Sequence, residues 1–87
     1  MRKVWFDPAW DDYLYWQTQD RKTLKRINQL VQDIERNGNK GIGKPEQLSE
    51  DLVGWWSRRI DKVNRLVYRL QGADTIEIAQ CKGHYNK

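Results

Sequence analysis

The stretch "WWSRRIDKVNRLVYRLQGADTIEIAQC" (residues 55–81) decides the fold. It holds three β-prone runs, "WWSRRID" (55–61), "RLVYRLQ" (65–71) and "TIEIAQC" (75–81), separated by the turn-like triplets "KVN" and "GAD". Runs of that length with joints that short predict an antiparallel meander. In the second run Leu66, Tyr68 and Leu70 alternate with Arg65, Val67 and Arg69. Side chains of a strand point to alternate faces, so one face is apolar and the other carries arginine. The apolar face needs a covering layer. The arginine face looks outward or into a cleft.

The covering layer is legible upstream. "RKVWF" (2–6) reads as a short first strand closed by Asp7-Pro8, which then opens a helix with Asp7 as cap and Pro8 in the first helical position. Asp11 and Asp12 suit the positive end of that helix. Trp10, Tyr13, Leu14 and Gln17 follow helical spacing, with Trp16 flanking. Asp20 caps a second helix, whose stripe of Leu24, Ile27, Leu30, Val31 and Ile34 runs to a stop at Gly38. Lys22, Lys25, Arg26 and Gln29 fall on its opposite side, a basic face that reads either as solvated surface or as an RNA contact. The short joint at Thr18–Asp20 predicts an antiparallel helix hairpin. "NGNKGIGKPEQLSEDLVG" (37–54), with four glycines, Pro45 and five charges, reads as loop throughout. The expected order is β-α-α-β-β-β. It is an α+β, two-layer fold in which a mainly antiparallel sheet packs on a helix hairpin, with residues 1–87 forming one domain.

Composition narrows the function. A chain of 87 residues buries only about 60–65% of its unfolded surface, so its five tryptophans matter to the core. They cluster in two regions, which suggests one shared core or a core plus an interface. The net charge of +4 favours a polyanionic partner: nucleic acid, an acidic protein or a membrane surface. Cys81 stands alone, so no intrachain disulfide and no cysteine-based zinc site is expected, and it reads as a small buried side chain. One histidine and one cysteine are too few soft ligands for a transition metal. "GIGK" (41–44) lacks P-loop spacing. No serine or cysteine nucleophile has a histidine and an acid beside it in sequence, and Ser57 reads as structural. No apolar run is long enough for a signal or a membrane span, so the cytoplasm is the expected compartment.

The chemistry that is left is carried by Glu46, just before the meander, Arg58 and Arg59 on its first strand, Arg65 at the start of its second, and His84 and Tyr85 after its third. Antiparallel neighbours bring alternate ends together, so Arg65 and His84 share one rim. Simple alternation puts His84 in phase with Ile76 and Ile78, whereas a bulge at Gly83 resets it. Carboxylate, arginine, histidine and tyrosine around a cleft fit RNA cleavage without a metal. A base takes the ribose 2′-OH proton, an acid protonates the leaving 5′-oxygen, and cations hold the charge on the phosphate. A histidine with a reference pKa near 6.5 suits the acid, and arginine suits bidentate phosphate contact. Each residue also has a plainer reading: a solvated loop acid, a surface cation, a histidine in a frayed tail. On residue chemistry alone the chain is a basic RNA-binding domain with a candidate nuclease site.

The stretches "WDDYLYW" (10–16), "GKPEQL" (43–48), "GWWSRRI" (54–60), "RLVY" (65–68) and "HY" (84–85) closely resemble the YoeB toxins of bacterial toxin–antitoxin systems, within the RelE/ParE superfamily. The resemblance runs nearly end to end. It implies a RelE-like fold and a ribosome-dependent mRNA endonuclease that enters the A site of the 70S ribosome, among mRNA and rRNA, and cuts the exposed codon. It implies Glu46 as general base, His84 as general acid, Arg65 as phosphate stabiliser and Tyr85 as substrate-positioning group, with Arg59, Arg58 and Lys44 as supporting phosphate-binding cations. No metal or other cofactor is implied. The implied partners are a YefM/Phd-like antitoxin, a second toxin copy in a homodimer, and operator DNA reached through the antitoxin complex, with no membrane partner. Val63 and Asn64 stand where the family commonly has an acid and a histidine, Ser49 where it often has a basic residue, and Gly83 where it often has an aromatic one. Two further readings keep the fold and change the activity: a non-catalytic ParE-like gyrase inhibitor, and a plain ribosome- or RNA-binding module.

Overall fold

The computed structural model describes residues 1–84. The chain runs β1 (Arg2–Trp5), α1 (Asp7–Gln19), α2 (Arg21–Asn37), β2 (Glu46–Gln47), a 3-10 turn (Glu50–Leu52), β3 (Trp56–Arg59), β4 (Arg65–Gln71) and β5 (Thr75–Gln80). The strands form one sheet in the order β1-β5-β4-β3-β2. The meander is antiparallel as expected, and β1 joins its β5 edge in parallel, from Arg2 opposite Thr75 to Trp5 opposite Ile78. A parallel neighbour needs a long crossover, and the helix hairpin supplies it.

Three boundaries differ from the sequence expectation. Phe6, not Asp7, occupies the cap of α1, in extended conformation and with no side-chain capping bond. Asp7 and Pro8 are instead the first helical residues, where a missing N–H costs nothing and a carboxylate meets the positive helix end. The hairpin joint is a single residue. Asp20 ends α1 through its N–H to the Trp16 carbonyl (3.0 Å) and starts α2 by accepting from the Lys22 and Thr23 N–H groups (3.1 and 3.3 Å). Residues 37–54 are not all loop. Glu46 and Gln47 pair with Ser57 and Trp56, adding a fifth, two-residue strand.

Ala9, Trp16, Ile27, Leu30, Val31 and Ile34 of the helices meet Ile60, Leu66, Tyr68, Ile76, Ile78 and Cys81 of the sheet side in one core. Cys81 is wholly buried, and that burial pushes its thiol up to about 12. Both helices thus cover one sheet face and leave the other without a helical cover. On that open face Val67 is nonetheless buried, a departure from the simple alternation read for β4. Of the five tryptophans, Trp16 enters the core, and Trp5 and Trp56 pack against it. Trp5 and the half-buried Tyr13 also meet the exposed Trp10, and Trp55 meets Phe6 edge-on. Among the described residues no helix is long and apolar enough to cross a membrane.

Candidate active site

The open face collects the charged residues through strand register. Glu46 lies opposite Ser57, Ser57 opposite Val67, and Arg59 opposite Arg65. Directly opposed residues project to the same side of a sheet. Glu46, Ser57, Arg59 and Arg65 therefore share one face across three strands, although 19 positions separate the first from the last.

His84 reaches this face by a change of phase earlier than Gly83. On β4 and β5, Val67 pairs with Gln80 but Tyr68 with Ile78, so Ala79 is an extra residue. After it the buried position moves from the even numbers to Cys81. Gly83 adopts φ 75°, in the left-handed region that favours glycine. The Arg65 N–H donates to the Gly83 carbonyl (2.9 Å), and the Gly83 N–H donates to Asn64 Oδ1 (2.7 Å). His84, exposed, follows directly beside Arg65. The shared rim expected for these two residues is present.

Lys44, Pro45, Glu46, Ser57, Arg59, Arg65 and His84 line a cleft of about 390 Å³. That volume lies in the range of small-ligand sites. It joins one carboxylate, three fixed cations and one imidazole, which is the equipment for acid–base chemistry on a phosphodiester. The Arg65 guanidinium is oriented by its own turn, donating through Nη1 to the carbonyls of Asp61 (2.7 Å) and Asn64 (3.1 Å). Lys44 stands at φ 51°, between Gly43 at φ 80° and Pro45. A left-handed conformation strains a residue with a Cβ, and the residue before proline prefers extended backbone. Such strain concentrates at functional sites. It is held here by the Arg59 N–H, which donates to the Gly43 carbonyl at 2.7 Å.

Arg58 is not a cation of this cleft, and that corrects the sequence expectation. Its position between Ser57 and Arg59 turns it to the helix side, where it is wholly buried. Its five N–H groups meet five acceptors: Tyr68 Oη (3.2 Å), Asp33 Oδ2 (2.5 Å), and the carbonyls of Ile42 (3.0 Å), Gly38 (2.6 Å) and Lys40 (3.1 Å). A guanidinium with every donor engaged has none for phosphate. It staples the 38–42 loop to α2 and β4 instead. Asp33 also accepts from the Ile42 N–H (3.1 Å) and Asn37 Nδ2 (2.8 Å). The Arg58 hydrogen bond outweighs burial and, with the Ile42 and Asn37 bonds, holds the Asp33 carboxyl below the usual carboxylate range.

Arg69 is committed as well, to Glu77 at 2.5 Å and to the face of Trp55 at 4.3 Å. Tyr85 lies outside the described residues. Ser57, read from the sequence as structural, and Pro45, read only as loop, also line the cleft. The two-residue alternation that joins Ser57 to Arg59 was the signal for the first, and the local chain between Lys44 and Glu46 for the second. A larger hollow of about 500 Å³ lies between β1 and the helices, lined by Trp5, Trp10 and Tyr13 with Lys3 and Glu35. Lys3 and Glu35 pair with each other at 3.1 Å, and no imidazole joins that lining. The smaller cleft is the one with acid–base equipment.

Residues 5–85 match the family model described as the YoeB-like toxin of bacterial type II toxin–antitoxin systems. The chain is 47% identical over 85 residues to Toxin YoeB of Escherichia coli K12, covering 98% of this chain and all of that one. Its fold is similar to the YoeB/ParE toxin from Agrobacterium tumefaciens, with TM-score 0.95 and 43% identity over 98% of this chain and 100% of that one. It is also similar to YoeB from Staphylococcus aureus, solved as a dimer and as a heterotetrameric YoeB–YefM complex. Each shows TM-score 0.91 and 45% identity, covering 98% of both chains.

Proposed function

The chain belongs to the YoeB-like toxins of type II toxin–antitoxin systems, and from that premise we propose that its open-face cleft cuts messenger RNA in the ribosomal A site. Glu46 acts as general base on the ribose 2′-OH. The resulting alkoxide attacks the adjacent phosphorus and the P–O5′ bond breaks. His84 donates its proton to the leaving 5′-oxygen, giving a 2′,3′-cyclic phosphate and a free 5′-hydroxyl. Arg65, with Arg59 and Lys44, holds the charge that builds on the phosphate oxygens. Tyr85 positions or stacks the substrate. No step calls for a metal ion or other cofactor.

The observation that carries this reading is the convergence of Glu46, Arg59, Arg65 and His84 on one cleft from β2, β3, β4 and the segment after β5. Acid and base stand among fixed cations there, which a binding surface alone does not require. The S. aureus structures support two partners by likeness: a YefM-like antitoxin that neutralises the toxin, and a second toxin copy. Action on ribosomes places the working protein in the cytoplasm.

The test is cleavage of ribosome-bound mRNA mapped by primer extension. Wild type is expected to give discrete A-site cuts. His84→Gln and Glu46→Ala are each expected to lose about 10²–10⁴-fold in rate while still binding ribosomes. Undiminished cutting by both variants overturns the assigned roles. Growth arrest with intact mRNA favours a gyrase inhibitor on the same fold.

A further inference from the structure

His84 follows the last strand by four residues, past the regular β4–β5 pairing that ends at Gln80. The peptide before His84 is held by the turn between β3 and β4, together with Gln80 Nε2, which donates to the carbonyls of Lys82 (3.0 Å) and Gly83 (3.3 Å). Asn64 Oδ1 accepts from the Gly83 N–H at 2.7 Å, and Asn64 Nδ2 donates to both oxygens of Asp61, at 2.9 and 3.2 Å. Asp61 Oδ1 also takes the N–H groups of Val63 (2.8 Å) and Asn64 (2.7 Å), which fixes the turn. The Asn64 carbonyl accepts from the Ile60 N–H (3.0 Å) and from Arg65 Nη1 (3.1 Å). The Arg65 N–H closes the ring on the Gly83 carbonyl at 2.9 Å. Both backbone polar groups of Gly83, which belong to the two peptide units flanking its Cα, are therefore gripped by consecutive residues, 64 and 65.

The geometry points to Asn64 as the positioning residue for His84, with Asp61 orienting its amide. A primary amide is the side chain that fits. One end must accept from a peptide N–H while the other donates to a carboxylate. Alanine supplies neither, and aspartate sets a second carboxylate against Asp61. Burial pulls the Asp61 carboxyl upward, but the bonds from Asn64 and Val63 prevail and hold it below the usual range, which suits an ionised acceptor for the amide. The arrangement also ties the two groups proposed to act on the phosphate together, since Arg65 and His84 are placed by the same turn. A departure of the reacting imidazole by about 1 Å is enough to cost roughly 10²-fold in rate.

The catalytic consequence rests on the reading of His84 as the acid; the positioning itself does not. The experiment separates them, because His84 is the chain's one histidine and its Cε1–H gives one assignable NMR signal. Asn64→Ala and Asn64→Asp are compared with wild type and with the double variant Asp61→Asn/Asn64→Asp. The double variant exchanges amide and carboxylate and restores the complementary pair. The single variants are expected to move the His84 signal toward its position in a short peptide. They are expected to slow single-turnover cleavage of ribosome-bound mRNA by about 10- to 100-fold with ribosome affinity retained. The double variant is expected to recover most of both. Asn64→Asp keeps the size of the side chain, so it carries the comparison if the alanine variant does not fold. A His84 signal unmoved in the single variants overturns the positioning role, whether or not RNA is cut. A wild-type protein that cuts no ribosome-bound mRNA overturns the activity and leaves the NMR result to decide on Asn64.

Discussion

Four arginines of the meander, Arg58, Arg59, Arg65 and Arg69, are one residue type with three fates. Arg59 and Arg65 line the cleft, Arg69 pairs with Glu77, and Arg58 is sealed in the core against Asp33. Removing one partner of a buried pair leaves an uncompensated charge, so Asp33→Ala is expected to destabilise the protein by about 3 kcal/mol in urea unfolding. A loss under about 0.5 kcal/mol, the range of ordinary surface changes, counts against the staple. The pH dependence has a definite sign. The folded Asp33 carboxyl titrates below its unfolded value. Its contribution is therefore complete above roughly pH 4 and lost as pH falls through the folded value. Wild-type stability is expected to decline more steeply below roughly pH 4 than that of Asp33→Ala, and equal slopes exclude the linkage. Sequence chemistry named Arg58 beside Arg59 because adjacent arginines are indistinguishable in composition. Only the two-residue period of a strand, applied to Ser57–Arg59, separates them, and it needs to be known which face the helices cover.

The segment from Gly38 to Gln47 places Lys44 and Glu46 by fastening a loop rather than by extending a regular element. Gly43 is its tightest point. A Cβ there would lie 2.8 Å from Leu30 Cδ2 and 3.2 Å from the Arg59 carbonyl, on a backbone at φ 80°. Gly43→Ala is expected to cost about 1–3 kcal/mol by overpacking and strain. That lowers the melting temperature by at least about 4 °C in a domain this size. An unchanged melting temperature means that the loop shifts freely. The cleavage rate should fall too, because the loop carries Glu46, the proposed base. This segment was the least legible part of the chain. A two-residue strand has no period to detect, and β2 exists only because Glu46 and Gln47 meet an edge of β3. The helices and the three longer strands were legible for the opposite reason: each repeats its apolar residues over several turns or pleats. The extra residue at Ala79 escaped as well. A register shift is a property of two strands together, and neither sequence records it.

At the scale of the molecule, the net charge of +4 gathers meaning from where the cations lie. Lys44, Arg59 and Arg65 face one cleft, so the proposed association with RNA should weaken with salt by release of counterions from the phosphates. Arg59→Ala and Arg65→Ala are each expected to flatten the slope of log K against log salt by about 0.7 on single-stranded RNA. A slope that neither substitution changes places the RNA elsewhere on the surface. By itself the sequence determined the layers, two amphipathic helices on an antiparallel meander, and the residue types for the proposed acid–base chemistry. Those are local properties, since periodicity and side-chain chemistry are carried by neighbours along the chain. The tertiary structure alone decided that β1 closes the sheet in parallel beside β5, that Arg58 turns inward, and that His84 follows Gly83 to the rim of Arg65. These depend on register between strands distant in sequence, where a slip of one residue moves a side chain to the opposite face.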